Sequence, residues 1–159
     1  RIRANNNPIH IAAYQAMGVS PVTMGWSEVY SAIQNGTVDG VSVAITSMYT
    51  ANIQEVAPYI STSSEFYVTA PLIMNAGRFN SLPEDIQNII LEAAAEATEY
   101  QIQTNGDQVN EFLQNLEDEG YEITHPDQEA FRDACWDSVY DQFAEQIGAD
   151  RIAAVQNDY

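Results

Sequence analysis

The chain has 159 residues, 45% of them hydrophobic, enough for a packed core and too many for a disordered tract. Its formal net charge is -18, its five basic residues are all arginine and it has no lysine, a balance that fits nucleic acid badly because phosphate binding relies on clustered Lys and Arg. No stretch of about 18 apolar residues offers a membrane-spanning helix, and a single cysteine, Cys135, leaves neither an intrachain disulfide nor a Cys-based zinc site.

Strands and helices alternate along the first third. Ile2–Ala4 is a short extended run. Pro8–Met17 carries apolar residues at Ile9, Ala12, Ala13, Ala16 and Met17, a helical stripe that Gly18 closes. Val22-Thr23-Met24 predicts a second strand. Ser27 is placed as the N-cap of a helix bearing Val29, Tyr30 and Ile33, which ends at Asn35-Gly36. Val38–Ile45, rich in β-branched residues, predicts a third strand, and Tyr49–Val56 a helix that Pro58 ends. The opening Arg1-Ile2-Arg3-Ala4 reads like the middle of a strand, so preceding sequence is expected.

Glu65–Asn75 is a long apolar run broken by Pro71, which predicts an edge strand or a bend. Ser81-Leu82-Pro83-Glu84 has the pattern of a capping box with a first-turn proline. The Ala-, Glu- and Gln-rich stretch that follows predicts one long helix to Glu119, with a bend at Asn105-Gly106 and a stop at Gly120. Tyr121–Thr124 predicts a short strand. Pro126 opens a helix with Phe131, Ala134, Cys135, Val139 and Phe143 on its apolar side, where Cys135 is expected to be a buried, inert thiol. A last helix is expected near Asp150–Val155.

An anion approaching so acidic a chain is repelled unless one local site reverses the field. Arg3 stands beside the uncharged Asn5, Asn6 and Asn7, and its guanidinium offers a planar fork that matches a carboxylate. Trp26 precedes a predicted helix start, where free backbone N–H groups favour an anion. From the residues alone, Arg3 reads equally well as a surface residue, and Trp26 as a hydrophobic staple. Catalysis finds no support, since His10 and His125 are the only histidines and neither lies in a nucleophile motif. Glu117-Asp118-Glu119 lacks the ligand spacing of a calcium loop and reads as a solvated helix end. Asn35-Gly36-Thr37, although a glycosylation sequon, reads as a helix stop. No cofactor and no metal is implied.

The runs Arg1-Ile2-Arg3, Met17-Gly18-Val19-Ser20-Pro21, Met24-Gly25-Trp26-Ser27-Glu28-Val29-Tyr30, Val38-Asp39-Gly40 and Ser81-Leu82-Pro83-Glu84-Asp85, in this order and spacing, resemble the solute-binding proteins of tripartite (TRAP) transporters, of the C4-dicarboxylate-binding type. The resemblance covers essentially the whole chain and matches the carboxy-terminal part of such a protein. It implies an α/β fold that is part of a two-lobed, type II-like periplasmic binding protein. Residues 1–64 would form a second-lobe α/β segment, 65–80 an interlobe crossing strand, 81–120 a long helix along both lobes, and 121–159 the return to the second lobe. It further implies a periplasmic receptor, not an enzyme, that takes a small organic carboxylate and delivers it to membrane permease subunits. Arg3 matches the family arginine that pairs with the ligand carboxylate, Asn6 a position that contacts ligand, and Trp26 an aromatic position that packs on it.

The chain departs from the family pattern after Val38-Asp39-Gly40. Where Gln, Glu, Asn and Pro commonly follow, Val41, Ser42, Val43 and Ala44 stand here, so Val43 replaces a ligand-contacting asparagine and gives the ligand a less polar neighbour. That substitution favours a monocarboxylate, or an aromatic or branched acid, over a dicarboxylate or sugar acid. Glu65 stands where the family often carries a histidine and changes whatever contact is made there. Without the other lobe, the apolar side of 65–116 is expected to be exposed and to associate with another chain or a complementary fragment. The competing reading is an acidic helical interaction module without a small-molecule ligand, its long helix the working surface.

Overall fold

Strand β1 (Ile2–Ala4), helix α1 (Pro8–Ala16), strand β2 (Pro21–Thr23), helix α2 (Val29–Gln34) and strand β3 (Gly40–Val41) follow one another in a computed structural model that describes residues 1–157. The strands form a parallel sheet in the order β2-β1-β3, with Arg3 opposite Val22 on one side and Val41 on the other. Helix α1 begins where Asn7 Oδ1 accepts from the backbone N–H groups of Ile9 (2.9 Å) and His10 (3.4 Å), with Pro8 at a position that needs no donor. It ends at Gly18, whose φ of +78° is open to glycine at no steric cost. Ala4, Ala12, Ala13, Tyr14, Val29, Ile33 and Val38 are buried. Val29 and Val38 are almost fully so, each contributing about 1.5–3 kcal/mol of hydrophobic stabilisation.

The third strand is shorter than its composition predicts. β1 spans only three residues, so β3 finds ladder partners for Gly40 and Val41 alone, and by Ile45 the chain has turned into helix α3 (Ile45–Thr50). The helix expected over Tyr49–Val56 is therefore the end of α3 followed by a 3₁₀ turn at Ile53–Glu55, separated by Asn52 in the left-handed region at φ +54°. Ser27 is not a cap. It lies inside a 3₁₀ turn, Trp26–Glu28, that runs straight into α2 with no side-chain capping bond.

Strand β4 (Tyr59–Ser61) pairs in parallel with β5 (Glu122–Thr124), joining segments some sixty residues apart in sequence, with Ile60 buried between them and the core. Helix α6 (Gln128–Ile147), capped by Asp127, packs along α1, and α7 (Ala149–Asn157) follows Gly148. Cys135 is half-buried and donates to the Phe131 carbonyl at 3.2 Å. Burial raises its pKa, which keeps it a thiol, less enclosed than predicted.

The chain divides into two compact units, one formed by Arg1–Glu65 with the residues from Tyr121 on, the other by Phe66–Gly120. Of the edge strand or bend expected over Glu65–Asn75, no strand forms, and the segment from Phe66 on belongs to the second unit. Among the described residues this segment pairs with no strand, and an extended run without a ladder partner has no sheet to belong to. Helix α4 (Ala76–Asn80) follows, capped by Asn75 Oδ1 on Arg78 N, and then α5 (Glu84–Asp118). The expected capping box does not form. Ser81 closes α4, its Oγ donating to the Arg78 carbonyl at 2.8 Å, and Pro83 precedes α5. α5 continues as one helix of 35 residues through Asn105-Gly106 and ends at Gly120, φ +88°.

Candidate functional site

In an open parallel sheet, the crevice outside the carboxyl ends of the strands, where the strand order reverses, is the place for a ligand. Here that point lies between β1 and β3, because the chain leaves β1 for β2 on one side and returns to β3 on the other. The segments that leave the strand ends are Asn5–Asn7 after β1, Met24–Trp26 after β2 and Ser42–Ala44 after β3. Three sequence-predicted residues, Asn6, Trp26 and Val43, stand on these segments, and Arg3 is in the middle of β1.

Arg3 alone among the five arginines is half-buried; Arg1, Arg78, Arg132 and Arg151 are exposed. Its Nε and Nη2 donate to the Met24 carbonyl at 3.3 and 3.1 Å, which fixes the guanidinium over the end of β2. The Trp26 ring lies under it, 5.6 Å from the guanidinium carbon to the ring centroid. No acidic side chain pairs with Arg3 among the described ion pairs, whereas Arg1 is bonded to Asp39 and Arg132 to Asp133. A guanidinium carries five N–H donors, and the Met24 carbonyl occupies only part of that set. Trp26 is 41% exposed, so part of its ring is open to a ligand.

Across β1, the side of β3 carries a second polar group. Ser42 Oγ donates to Glu65 Oε1 at 2.6 Å, and Ser63 Oγ donates to Glu65 Oε2. The half-buried Glu65 carboxylate is thereby held against the residue that follows β3. Tyr14 of α1 hydrogen-bonds Ser42 and lies within electrostatic reach of both Glu65 and Arg3, and burial above all raises its pKa. His10, on the same helix, is held below the ordinary imidazole pKa by burial, with the Glu65 charge opposing that shift. Val43 is half-exposed beside Ser42, and Asn6 is exposed at the end of β1.

The structure therefore brings Arg3 and Trp26 into contact and sets Glu65 and Ser42 beside the neighbouring strand end. It gives Asn6 and Val43 positions on the same rim without a hydrogen bond to either group. Sequence reading missed Ser42, Ser63 and Tyr14. Ser42 carried a usable signal, a hydroxyl immediately after a predicted strand; Ser63 and Tyr14 reach the site only through the fold. The helix start expected at Ser27 is instead a 3₁₀ turn that leads into α2, a helix of only six residues.

Elsewhere the chemistry is sparse. His125 Nδ1 shares a 2.6 Å hydrogen bond with Thr62 Oγ1. In the second unit, an open groove of about 780 Å³ is lined by Leu72, Ala94, Thr98, Glu99, Ile102 and Gln103, with no cation to receive an acid. Among the described residues, no three His, Cys, Asp or Glu side chains converge as a metal site would require.

The sequence profile of the bacterial extracellular solute-binding proteins, family 7 (DctP), matches residues 1–146. The 2,3-diketo-L-gulonate-binding periplasmic protein YiaO of Escherichia coli is 30% identical over 158 residues, 98% of this chain and 48% of YiaO. The C4-dicarboxylate-binding periplasmic protein DctP of Rhodobacter capsulatus is 31% identical over 160 residues, again 98% of this chain and 48% of the relative. A TRAP periplasmic solute-binding protein of Polaromonas sp. JS666, solved with bound D-erythronate, superposes with a TM-score of 0.89 at 30% identity, covering 98% of this chain and 52% of that one. The chain thus spans about half the length of the curated relatives it matches. These relatives are transport proteins that bind solutes in the periplasm, not enzymes. With a profile match over residues 1–146 and a structural match to a TRAP periplasmic solute-binding protein across nearly its whole length, this chain belongs to the bacterial extracellular solute-binding protein family 7, the DctP family of TRAP transporter receptors.

Proposed function

We infer that this chain is the part of a periplasmic TRAP receptor that holds a small organic acid, with the ligand carboxylate on Arg3, and that the receptor hands the acid to its membrane permease. The observation that carries this reading is the state of Arg3: half-buried, aimed by the Met24 carbonyl, flanked by Trp26 and, among the described residues, without an acidic partner. A cation held half out of water in a chain of charge -18 needs a counter-charge, and a ligand carboxylate supplies one with bidentate geometry. Trp26 gives the ligand a flat apolar wall, Val43 a second one, and Asn6 a donor and an acceptor at the rim. The names of the three relatives point the same way, since each is described with the anion of an organic acid.

The alternative of an acidic helical interaction module is disfavoured by the family membership and leaves the Arg3 geometry without a purpose. Titration calorimetry of the full natural chain with mono- and dicarboxylates tests the choice. Charge-assisted hydrogen bonds of this kind contribute about 1.5–3 kcal/mol, so Arg3→Ala should weaken acid binding about 10- to 150-fold, with Arg3→Lys in between. Equal affinity in wild type and Arg3→Ala would move the ligand away from β1.

A further inference from the structure

The rim that carries Arg3 also carries a fixed negative charge. Glu65 is anchored by two serine hydroxyls, Ser42 on Oε1 and Ser63 on Oε2, and Ser42 directly follows β3, the strand paired with the one that holds Arg3. A carboxylate accepts about four hydrogen bonds, so each oxygen retains capacity beyond its serine. Both serines act as donors, which orients the carboxylate as an acceptor. Tyr14, buried on α1, hydrogen-bonds Ser42 and lies within electrostatic reach of both Arg3 and Glu65, and His10 of the same helix lies within reach of Glu65.

We propose that the ligand is a zwitterion, an aminocarboxylate whose carboxylate pairs with Arg3 and whose protonated amine meets Glu65. The inference rests on the acid-binding reading of Arg3 and refines it. A site with one fixed cation and one fixed anion has no net charge to offer a dianion, and a second ligand carboxylate on the β3 side meets the Glu65 charge head on. A simple monocarboxylate satisfies Arg3 but brings no counter-charge to the carboxylate that the two serines anchor and the closed site would desolvate. An ammonium group corrects both faults. Trp26 beside Arg3 and Val43 beside Ser42 offer apolar surface to a short spacer that joins the two charged ends of such a ligand.

The test is calorimetry on the full natural chain with matched triplets of equal carbon count: β-alanine, propionate and malonate, then the corresponding sets based on 4-aminobutanoate and 5-aminopentanoate. The wild-type ranking is read first and depends on no variant's folding. The best aminocarboxylate should bind roughly 10- to 100-fold more tightly than its des-amino and dicarboxylate partners. In Glu65→Gln, with its fold checked by circular dichroism, that preference should vanish, with the aminocarboxylate falling to the level of the des-amino acid and the dicarboxylate unchanged or improved. Arg3→Ala should weaken all three alike. A wild-type preference for the dicarboxylate, or a ranking that survives Glu65→Gln, overturns the zwitterion proposal while leaving Arg3 as the acid-binding group. Binding indifferent to Arg3→Ala, or no binding of any acid, overturns the Arg3 reading and this proposal with it.

Discussion

Arg1, just before β1, and Arg3, within it, are two residues apart and differ in what they bond. Arg1 donates from Nε and Nη2 to Asp39 at 3.3 and 3.1 Å and from Nη2 to the Gly36 carbonyl at 2.7 Å, tying the start of β1 to the turn before β3. Arg3, in the middle of β1, has no such partner among the described residues and donates to the Met24 carbonyl. The Arg1 guanidinium, ahead of the nearby amino nitrogen, lowers the Asp39 pKa from the usual 3.8 to about 2. A depressed folded-state value means a contribution fully present above the ordinary carboxylate range and lost as pH falls through the folded value. The melting temperature of wild type should therefore exceed that of Asp39→Asn at neutral pH, and the gap should close between about pH 4 and about pH 2. A gap that persists below that window would mean Asp39 acts by packing. In sequence, Arg3 stands out as one cation among neutral asparagines in a chain this acidic, which makes it a candidate. The residues alone do not tell it from a surface arginine, since half-burial and the Met24 bond depend on where β2 ends.

At the level of elements, the helices were more legible than the strands. A helix satisfies its own backbone, so the stripe in Pro8–Ala16 and the Ala-rich run of Glu84–Asp118 carry their structure locally. A strand depends on its neighbour, which is why Val38–Ile45 shrank to two residues and Glu65–Asn75 became no strand at all. Ser81 misled for a related reason, because the short α4 before it claimed the serine as its own terminus. Gly106 was expected to bend α5, yet the helix runs through it, and a Cβ built there meets nothing within 4 Å. Gly106→Ala should therefore stabilise the chain by about 1 kcal/mol, the ordinary difference between the two residues inside a helix. Thermal or urea unfolding would read it, and a loss of stability would show that the glycine serves a backbone approach.

Across the whole molecule, charge and apolar exposure pull in different directions. With 23 acidic against five basic residues, the folded chain repels itself, and only two side-chain ion pairs, Arg1–Asp39 and Arg132–Asp133, relieve that among those described. Added salt should raise the melting temperature as screening shortens from about 30 Å at 0.01 M to about 3 Å at 1 M. A fall over that range would show that attractive pairs dominate instead. Meanwhile Tyr67, Val68, Leu72 and Ile73 are each more than three-quarters exposed, the surface on which the sequence led us to expect association with another chain or fragment. The composition showed that so apolar a run needs a cover; the fold leaves it open, and no local pattern in the sequence names what covers it.

The most direct measurement is a crystal structure of the full natural chain grown with an aminocarboxylate or, failing uptake, with the acid that titration ranks first. The ligand carboxylate should lie within hydrogen-bonding distance of the Arg3 guanidinium and against Trp26, at the carboxyl end of β1. A carboxylate bound elsewhere, with Arg3 still donating only to the Met24 carbonyl, would contradict the central claim that this arginine is the acid-binding group.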